Sequence, residues 1–332
     1  SEMCIRDSSR KRQYQLLTIK NSNPRYQANV QTYTFSKGGR KIYDIVFQVS
    51  NHDIAFKYRV YSQDNILCCI VKKEATGFML PEGSTTFLCP QAAPMGGFAR
   101  TSPSYETSYT VDDVTGKNGW GNGYTFPCLF KNEDKGWILI SETGVSSAYC
   151  GSRLLGKENG LYTIGFPQEG EYNGNGTVSP GIALPGETPW RTITVGKTLA
   201  PIVETTVMFD VVKPLYEASQ DFQYGCGTWS WIIGGDNSMN YDEQKRYIDF
   251  SADMGYSSVL VDALWDTQVG RDKIAELADY AASKGVALYL WYNSNGYWND
   301  APQSPRSIMN NIIMRRKEMK CCLLYTSPSP RD

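Results

Sequence analysis

The chain has 332 residues, 41% of them apolar, with 33 Lys plus Arg against 34 Asp plus Glu and a formal net charge of −1. That length exceeds one ordinary domain, and the apolar fraction is enough to fill two cores. Balanced charge without a run of one sign excludes a chain built to track a phosphate backbone, so no nucleic-acid partner is expected. No stretch approaches the roughly 18 to 20 uncharged apolar residues of a spanning helix, and the N-terminus lacks a charged-then-apolar export pattern, so no membrane span is expected. The single histidine, His52, excludes an H-E-x-x-H zinc site and would have to be the base of any Ser-His-Asp triad. Nine cysteines include no C-x-x-C pair and read mainly as buried thiols.

Both ends look foreign. Residues 1–8, SEMCIRDS, resemble one reading frame of a transposon end used in sequencing-library preparation, and residues 322–332, CLLYTSPSPRD, resemble its reverse complement. Both adapter-like segments are set apart from the two domains as foreign sequence.

From about Tyr14 to Val212, short alternating or β-branched runs such as KIYDIVFQV, IAFKYRVYS, WILISETG and TVMFDVV are separated by Gly, Pro, Asn and Asp turns. Spacers at Lys37 to Gly39, Gly116 to Gly123 and Gly170 to Gly181 leave no room for long helices, so residues 9–213 are expected to form an all-β sandwich domain.

After Pro214 the period changes. Gly227 to Ile233 reads as a buried strand, and Tyr241 to Met254 as a helix with Tyr247, Ile248, Phe250 and Met254 on one face and Gly255 as its stop. Ser257 to Ala263 reads as a second strand, Asp272 to Lys284 as a helix packing Ile274, Leu277, Ala278 and Ala281, Val286 to Tyr292 as a third strand, and Ser304 to Lys320 as a further helix. Strand-helix alternation of this length implies parallel strands with crossover helices, in a barrel or an open sheet, over residues 214–321. No glycine-rich phosphate loop follows a strand, since Gly234-Gly235-Asp236 lacks the dinucleotide spacing.

In a β/α barrel the reactive groups gather at the C-terminal ends of the strands. Those ends carry Trp229 and Trp231, then Asp262 and Trp265, then Trp291 and Asn293. Indole faces beside carboxylate and amide groups suit a sugar, whose ring offers C–H faces to stack and hydroxyls to bond. The competing reading is rim packing, with an Asp capping the next helix.

The segments TWSWIIGGDNSMNYDEQKRYIDFSADMGYSSVLVDALW, ADYAASKGVALYLWYNSNG and RRKEMK resemble the first three barrel units of glycoside hydrolase family 97. AFKYRV, PSYETSYT, GWILISETGV and TPWRTITVGKTLAPIVETTVM are similar to strands of its N-terminal super-sandwich. The resemblance implies a β-super-sandwich followed by the first three units of a (β/α)8 TIM barrel, in a secreted or periplasmic exo-acting α-glucosidase or α-galactosidase. It also implies calcium, with Glu142 of the Leu139 to Glu142 motif as one ligand. The family's catalytic acid, base and nucleophile would lie beyond RRKEMK, so these residues alone are expected to be inactive, with either retaining or inverting chemistry open. The alternative is a non-catalytic carbohydrate-binding or scaffolding protein.

Overall fold

The computed structural model describes residues 2–17, 19–89, 110–111, 123–146, 148–158, 161–169, 178–214, 224–291 and 323–325. The chain divides into two compact units, one running to Glu217 apart from Gly96–Thr101, the other comprising Gly96–Thr101 and Ala218–Asp332.

The first unit is built on β1 (Glu2–Gln13), β2 (Arg25–Lys37), β3 (Arg40–Val49), β4 (Asp53–Val60), β5 (Cys68–Ile70), β6 (Gly77–Met79), β7 (Ser84–Leu88), β8 (Thr110–Val111), β9 (Cys128–Asn132), β10 (Gly136–Thr143), β11 (Arg153–Glu158), β12 (Leu161–Gly165), β13 (Gly181–Ala183), β14 (Gly186–Glu187) and β15 (Trp190–Gly196). A large antiparallel sheet runs β1-β2-β3-β4-β15-β10-β9-β7-β8, with β14 also on β4. A smaller sheet, β11-β12-β6, and the pair β13-β5 complete the strands among the described residues. The β2–β3 hairpin turns on Gly38 and Gly39, with φ of 57° and 73°, where side chains with a Cβ are disfavoured.

The side-chain period of two explains why neighbours on one strand are both buried. Phe56 faces the smaller sheet and joins Phe78, Leu88, Phe130, Ile140, Leu154, Tyr162 and Ile164 in a core between two sheet layers. Ala55 points the other way, into a second core with Tyr26, Ala28, Trp190, Val207 and Val211. Aromatic pairs such as Phe130–Tyr162, centroids 5.2 Å apart and near edge-on, fill the first core.

The segment TVMFDVV is not a strand. After α1 (Ala200–Glu204), entered through Pro201, the chain forms α2 (Val207–Asp210), because the Thr206 carbonyl and hydroxyl engage the Asp210 backbone N–H and carboxylate. Glu2–Ser8 continue β1 in register with Ser36–Val30, their side chains exposed, because the open edge of β2 pairs with any extended backbone.

The second unit has β16 (Gly227–Trp229), α3 (Trp231–Gly234), α4 (Tyr241–Asp253), β17 (Ser258–Val261), α5 (Arg271–Ser283), β18 (Ala287–Trp291) and β19 (Leu323–Tyr325). The four strands are parallel in the order β16-β17-β18-β19. The C-terminal adapter-like segment therefore contributes backbone to the sheet at Leu323–Tyr325, on the open edge of β18. The helix expected over Ser304 to Lys320 lies outside the described residues.

Asn240 caps α4 by accepting from Glu243 N at 2.9 Å, and Gly255 at φ 69° follows its end. Ile248, Val259, Val261, Trp265, Ile274, Leu277, Ala281, Leu288 and Leu290 form the core of strands and helices. Two expectations are corrected. Phe250 and Met254 are half exposed, because the buried stripe of α4 is Gln244, Ile248 and Ser251, and Phe250 lies about 200° round the helix from Ile248. The strand read over Gly227 to Ile233 stops at Trp229, and Ile232 and Ile233 are exposed on α3. A run of apolar residues this short does not distinguish strand from helix.

Candidate functional site

The register of the parallel strands sets Trp229 level with Leu260, and Leu260 level with Tyr289, so the residues that follow emerge at one end of the sheet. Trp229 closes β16 and Asp262 follows β17. The Trp229 indole N–H donates to Asp262 Oδ2 at 2.6 Å, and the Ala263 amide donates to Oδ1 at 2.5 Å. Asp262 is thus a buried carboxylate held as an acceptor by two fixed N–H groups. Trp231 stacks on Trp229 with centroids 6.0 Å apart and planes 19° off parallel, and its own indole N–H donates to Asp236 Oδ1 at 2.9 Å. Two near-parallel indoles, each pinned by a carboxylate, stand beside Asp262.

Trp265 and Trp291 are joined to each other at the ends of the next two strands. The Trp265 indole is buried in the core, donates to the Trp291 carbonyl at 2.9 Å, and has the Arg271 guanidinium 5.3 Å from its ring centroid. Both tryptophans spend most of their surface on packing as placed here. Asn293 lies outside the described residues.

The loop after β17 carries a signal that sequence pattern does not reveal. Leu264 has φ 68° and ψ 6°, a left-handed conformation that costs a branched residue roughly 1–2 kcal/mol, and a π-helical turn over Trp265–Val269 follows it. Strain of this kind two residues from Asp262 marks a loop whose shape is imposed by its surroundings. Behind β16, Gln244 is buried and donates to Ser230 Oγ at 2.9 Å and the Ser238 carbonyl at 2.7 Å, bracing the turn that presents Trp231.

Glu142 belongs to the first unit, on β10 directly opposite Arg191 of β15. Its Oε1 accepts from the Ser152 amide at 2.8 Å, and its Oε2 from the Ser152 hydroxyl at 2.6 Å and from Arg191 Nη1. Arg191 is fully buried and also grips Glu74 through Nε at 2.9 Å and Nη2 at 2.6 Å, while Thr76 and Tyr149 donate their hydroxyls to Glu74 at 2.8 and 3.1 Å. Burial opposes the charge on Arg191, but the two carboxylates outweigh it and raise its pKa. Burial, followed by the nearby Glu74 charge, pushes the Tyr149 phenol up. Sequence reading missed Arg191 and Glu74; the available signal was a charged residue at an inward position of the alternating run TPWRTITVG.

A carboxylate offers about four lone-pair sites. Three of those of Glu142 are taken, and its side chain is 10% exposed, so it has one oxygen lone pair to offer a cation. Calcium takes six to eight oxygens, and no group of three or more His, Cys, Asp or Glu fit to hold a metal occurs among the described residues. This donor set does not by itself fit a calcium ion.

Residues 5–214 match the family model for the glycosyl-hydrolase 97 N-terminal region, and residues 221–317 match that for glycoside hydrolase 97. A probable retaining alpha-galactosidase of Streptomyces bingchenggensis (strain BCW-1) is 28% identical over 275 residues, which are 78% of this chain and 39% of that protein. The crystal structure of a beta-arabinopyranosidase superposes with TM-score 0.85 at 51% identity, covering 96% of this chain and 52% of that one. A glycoside hydrolase family 97 enzyme of Pseudoalteromonas sp. strain K8, in complex with panose, has the same fold with TM-score 0.73 at 21% identity, covering 98% of this chain and 50% of that one. The chain therefore spans about half the length of these structures and less of the curated relative. No helix among the described residues is long and apolar enough to cross a membrane.

Proposed function

Because this chain belongs to glycoside hydrolase family 97, we propose that it is the sugar-binding side of an exo-acting α-glycosidase that removes terminal sugars of galacto configuration. The observation that carries the reading is the Trp229–Asp262 hydrogen bond with Trp231 stacked alongside, at the C-terminal ends of parallel strands. An acceptor carboxylate beside an aromatic face binds a ring hydroxyl and the apolar face of the same sugar. Taken as the L-sugar, a β-arabinopyranoside has the ring stereochemistry of an α-D-galactoside without the exocyclic hydroxymethyl group, and on that reading the relatives at 28% and 51% identity share one ring shape. α-Glucosides are the third substrate class to be tested.

In this proposal β16, β17 and β18 are the first strands of a (β/α)8 barrel, residues 9–213 are its β-super-sandwich partner, and Trp229, Trp231, Asp262 and Asn293 border the sugar. Trp265 and Trp291 act indirectly, by fixing the loop that carries Asp262. The two reacting carboxyl groups come from outside residues 9–321. A separation of about 5–5.5 Å between them gives retention, in keeping with the retaining relative. Glu142 supplies one oxygen to a calcium ion whose other ligands lie outside the described residues, and the whole protein is periplasmic or secreted.

The test is ligand-observed NMR of the 332-residue chain with methyl α-galactoside, methyl β-L-arabinopyranoside and methyl α-glucoside, repeated with Asp262→Ala. Saturation transfer to a galacto-configured sugar that the variant loses supports the reading. Binding of none of the three, or binding unaffected by the substitution, counts against the site.

A further inference from the structure

Trp137, the second residue of β10, stands level with Lys131 of β9 on one side and with Gly196 of β15 on the other. Lys131 holds its ammonium group 5.6 Å from the indole centroid, and the Phe87 ring of β7 packs 5.7 Å away with the planes 40° apart. On the β15 side no side chain fits, because a Cβ on Gly196 would meet the Thr198 carbonyl at 2.7 Å and the Pro201 ring at 2.9 Å. The indole is left half-buried at a cleft of about 570 Å³, which it lines with Pro81, Lys135, Val195, Lys197 and Pro201.

The cleft is rich in cationic donors and lacks carboxylates. No Asp or Glu lines it among the described residues. Lys197 is exposed and has no ion pair among them, and Lys135 has only Glu133, 3.9 Å away with both side chains well exposed, a contact of little strength. The amide of Asn132 spends its N–H groups on the Glu82 carbonyl at 3.3 Å and the Ser84 hydroxyl at 3.4 Å. No described residue accepts the Trp137 indole N–H. A neutral sugar is gripped by carboxylates that accept its hydroxyls, as proposed at Asp262. Ammonium groups beside an indole select instead a ring that carries negative charge of its own.

We infer that this cleft binds a carboxylated sugar, a uronate, with the apolar face of its ring on Trp137 and its carboxylate on the ammonium groups of Lys135 and Lys197. Lys131 keeps the indole in place from the β9 side. Ammonium-to-carboxylate bonds are stronger than neutral ones, but at exposed lysines dissolved salt screens them, so binding here is salt-dependent. The site lies wholly on the first unit and does not depend on the reading given for Trp229 and Asp262. Joined to that reading, it gives one acidic glycan two seats, and holding the uronate raises the local concentration of the neutral ends.

Titration of the 332-residue chain with methyl α-galacturonoside near neutral pH, followed by saturation-transfer NMR and tryptophan fluorescence, tests the site. Binding should weaken by about threefold or more between about 20 mM and about 300 mM salt. Trp137→Ala should abolish it, and Lys197→Glu, at an exposed position that leaves the fold intact, should weaken it by about tenfold. Excess methyl α-galactoside should not displace the uronoside. Absence of binding, binding unchanged by salt or by either substitution, displacement by methyl α-galactoside, or equal competition by acetate, which marks a plain anion spot, overturns the proposal. A chain that binds the uronoside and no galacto-configured neutral sugar keeps this site and loses the one at Asp262, so the two readings fail separately.

Discussion

Replacing Arg191 by Met strips a fully buried guanidinium from between two carboxylates while keeping most of the side-chain volume. Arg191 donates at 2.9 and 2.6 Å to Glu74, at 2.8 Å to Ser152, and to Glu142. Glu74 is 5% exposed at its side chain, so its charge cannot move into water without opening the small sheet. Removing one partner of a buried pair costs about 3–5 kcal/mol, because the remaining charge keeps its desolvation penalty and loses its partner. With a urea slope of about 2 kcal/mol/M, a loss of about 4 kcal/mol lowers the midpoint by about 2 M. Tryptophan fluorescence follows the transition, since Trp190 is the neighbour of Arg191 on β15. The triple variant Arg191→Met, Glu74→Gln, Glu142→Gln should recover most of the loss, as neutral replacements for a whole buried set often do. A single-variant loss below about 1 kcal/mol, or a triple variant no better than the single, refutes the reasoning.

Two further outcomes probe the second unit. Trp229→Phe keeps the ring and deletes the N–H that donates to buried Asp262, and should cost about 1–3 kcal/mol by urea denaturation, with a larger fractional loss of sugar binding in the NMR experiment. Leu277→Ala at a fully buried position of α5 should cost about 2–5 kcal/mol and leave the sugar binding proposed for Trp229 and Asp262 unchanged, which separates core damage from site damage.

The alternation of apolar residues made β3, β4 and β10 legible, because each strand has to bury one face or both against a packed layer. Helices α4 and α5 were legible for the matching reason, with Gly255 as the stop of the first. TVMFDVV misled because its β-branched composition says nothing of the Thr206–Asp210 bond that winds it into a turn. Of the candidate site, the alignment of Trp229 and Asp262 followed from parallel strands ending at one level. The burial of Trp265 did not, because an indole after a strand reads the same whether it turns toward the mouth or into the core. Arg191 and Glu74 are 117 residues apart, and their pairing depends on a register between β4, β15 and β10 that no local pattern contains.

The central claim is tested most directly by hydrolysis of 4-nitrophenyl α-galactoside, β-L-arabinopyranoside and α-glucoside by the whole protein that contains this chain, with the released anomer followed by NMR. The account predicts turnover of a galacto-configured substrate with retention, and none by residues 9–321 alone. Sugar binding with no turnover of any of the three by the whole protein would contradict it and leave a carbohydrate-binding or scaffolding role.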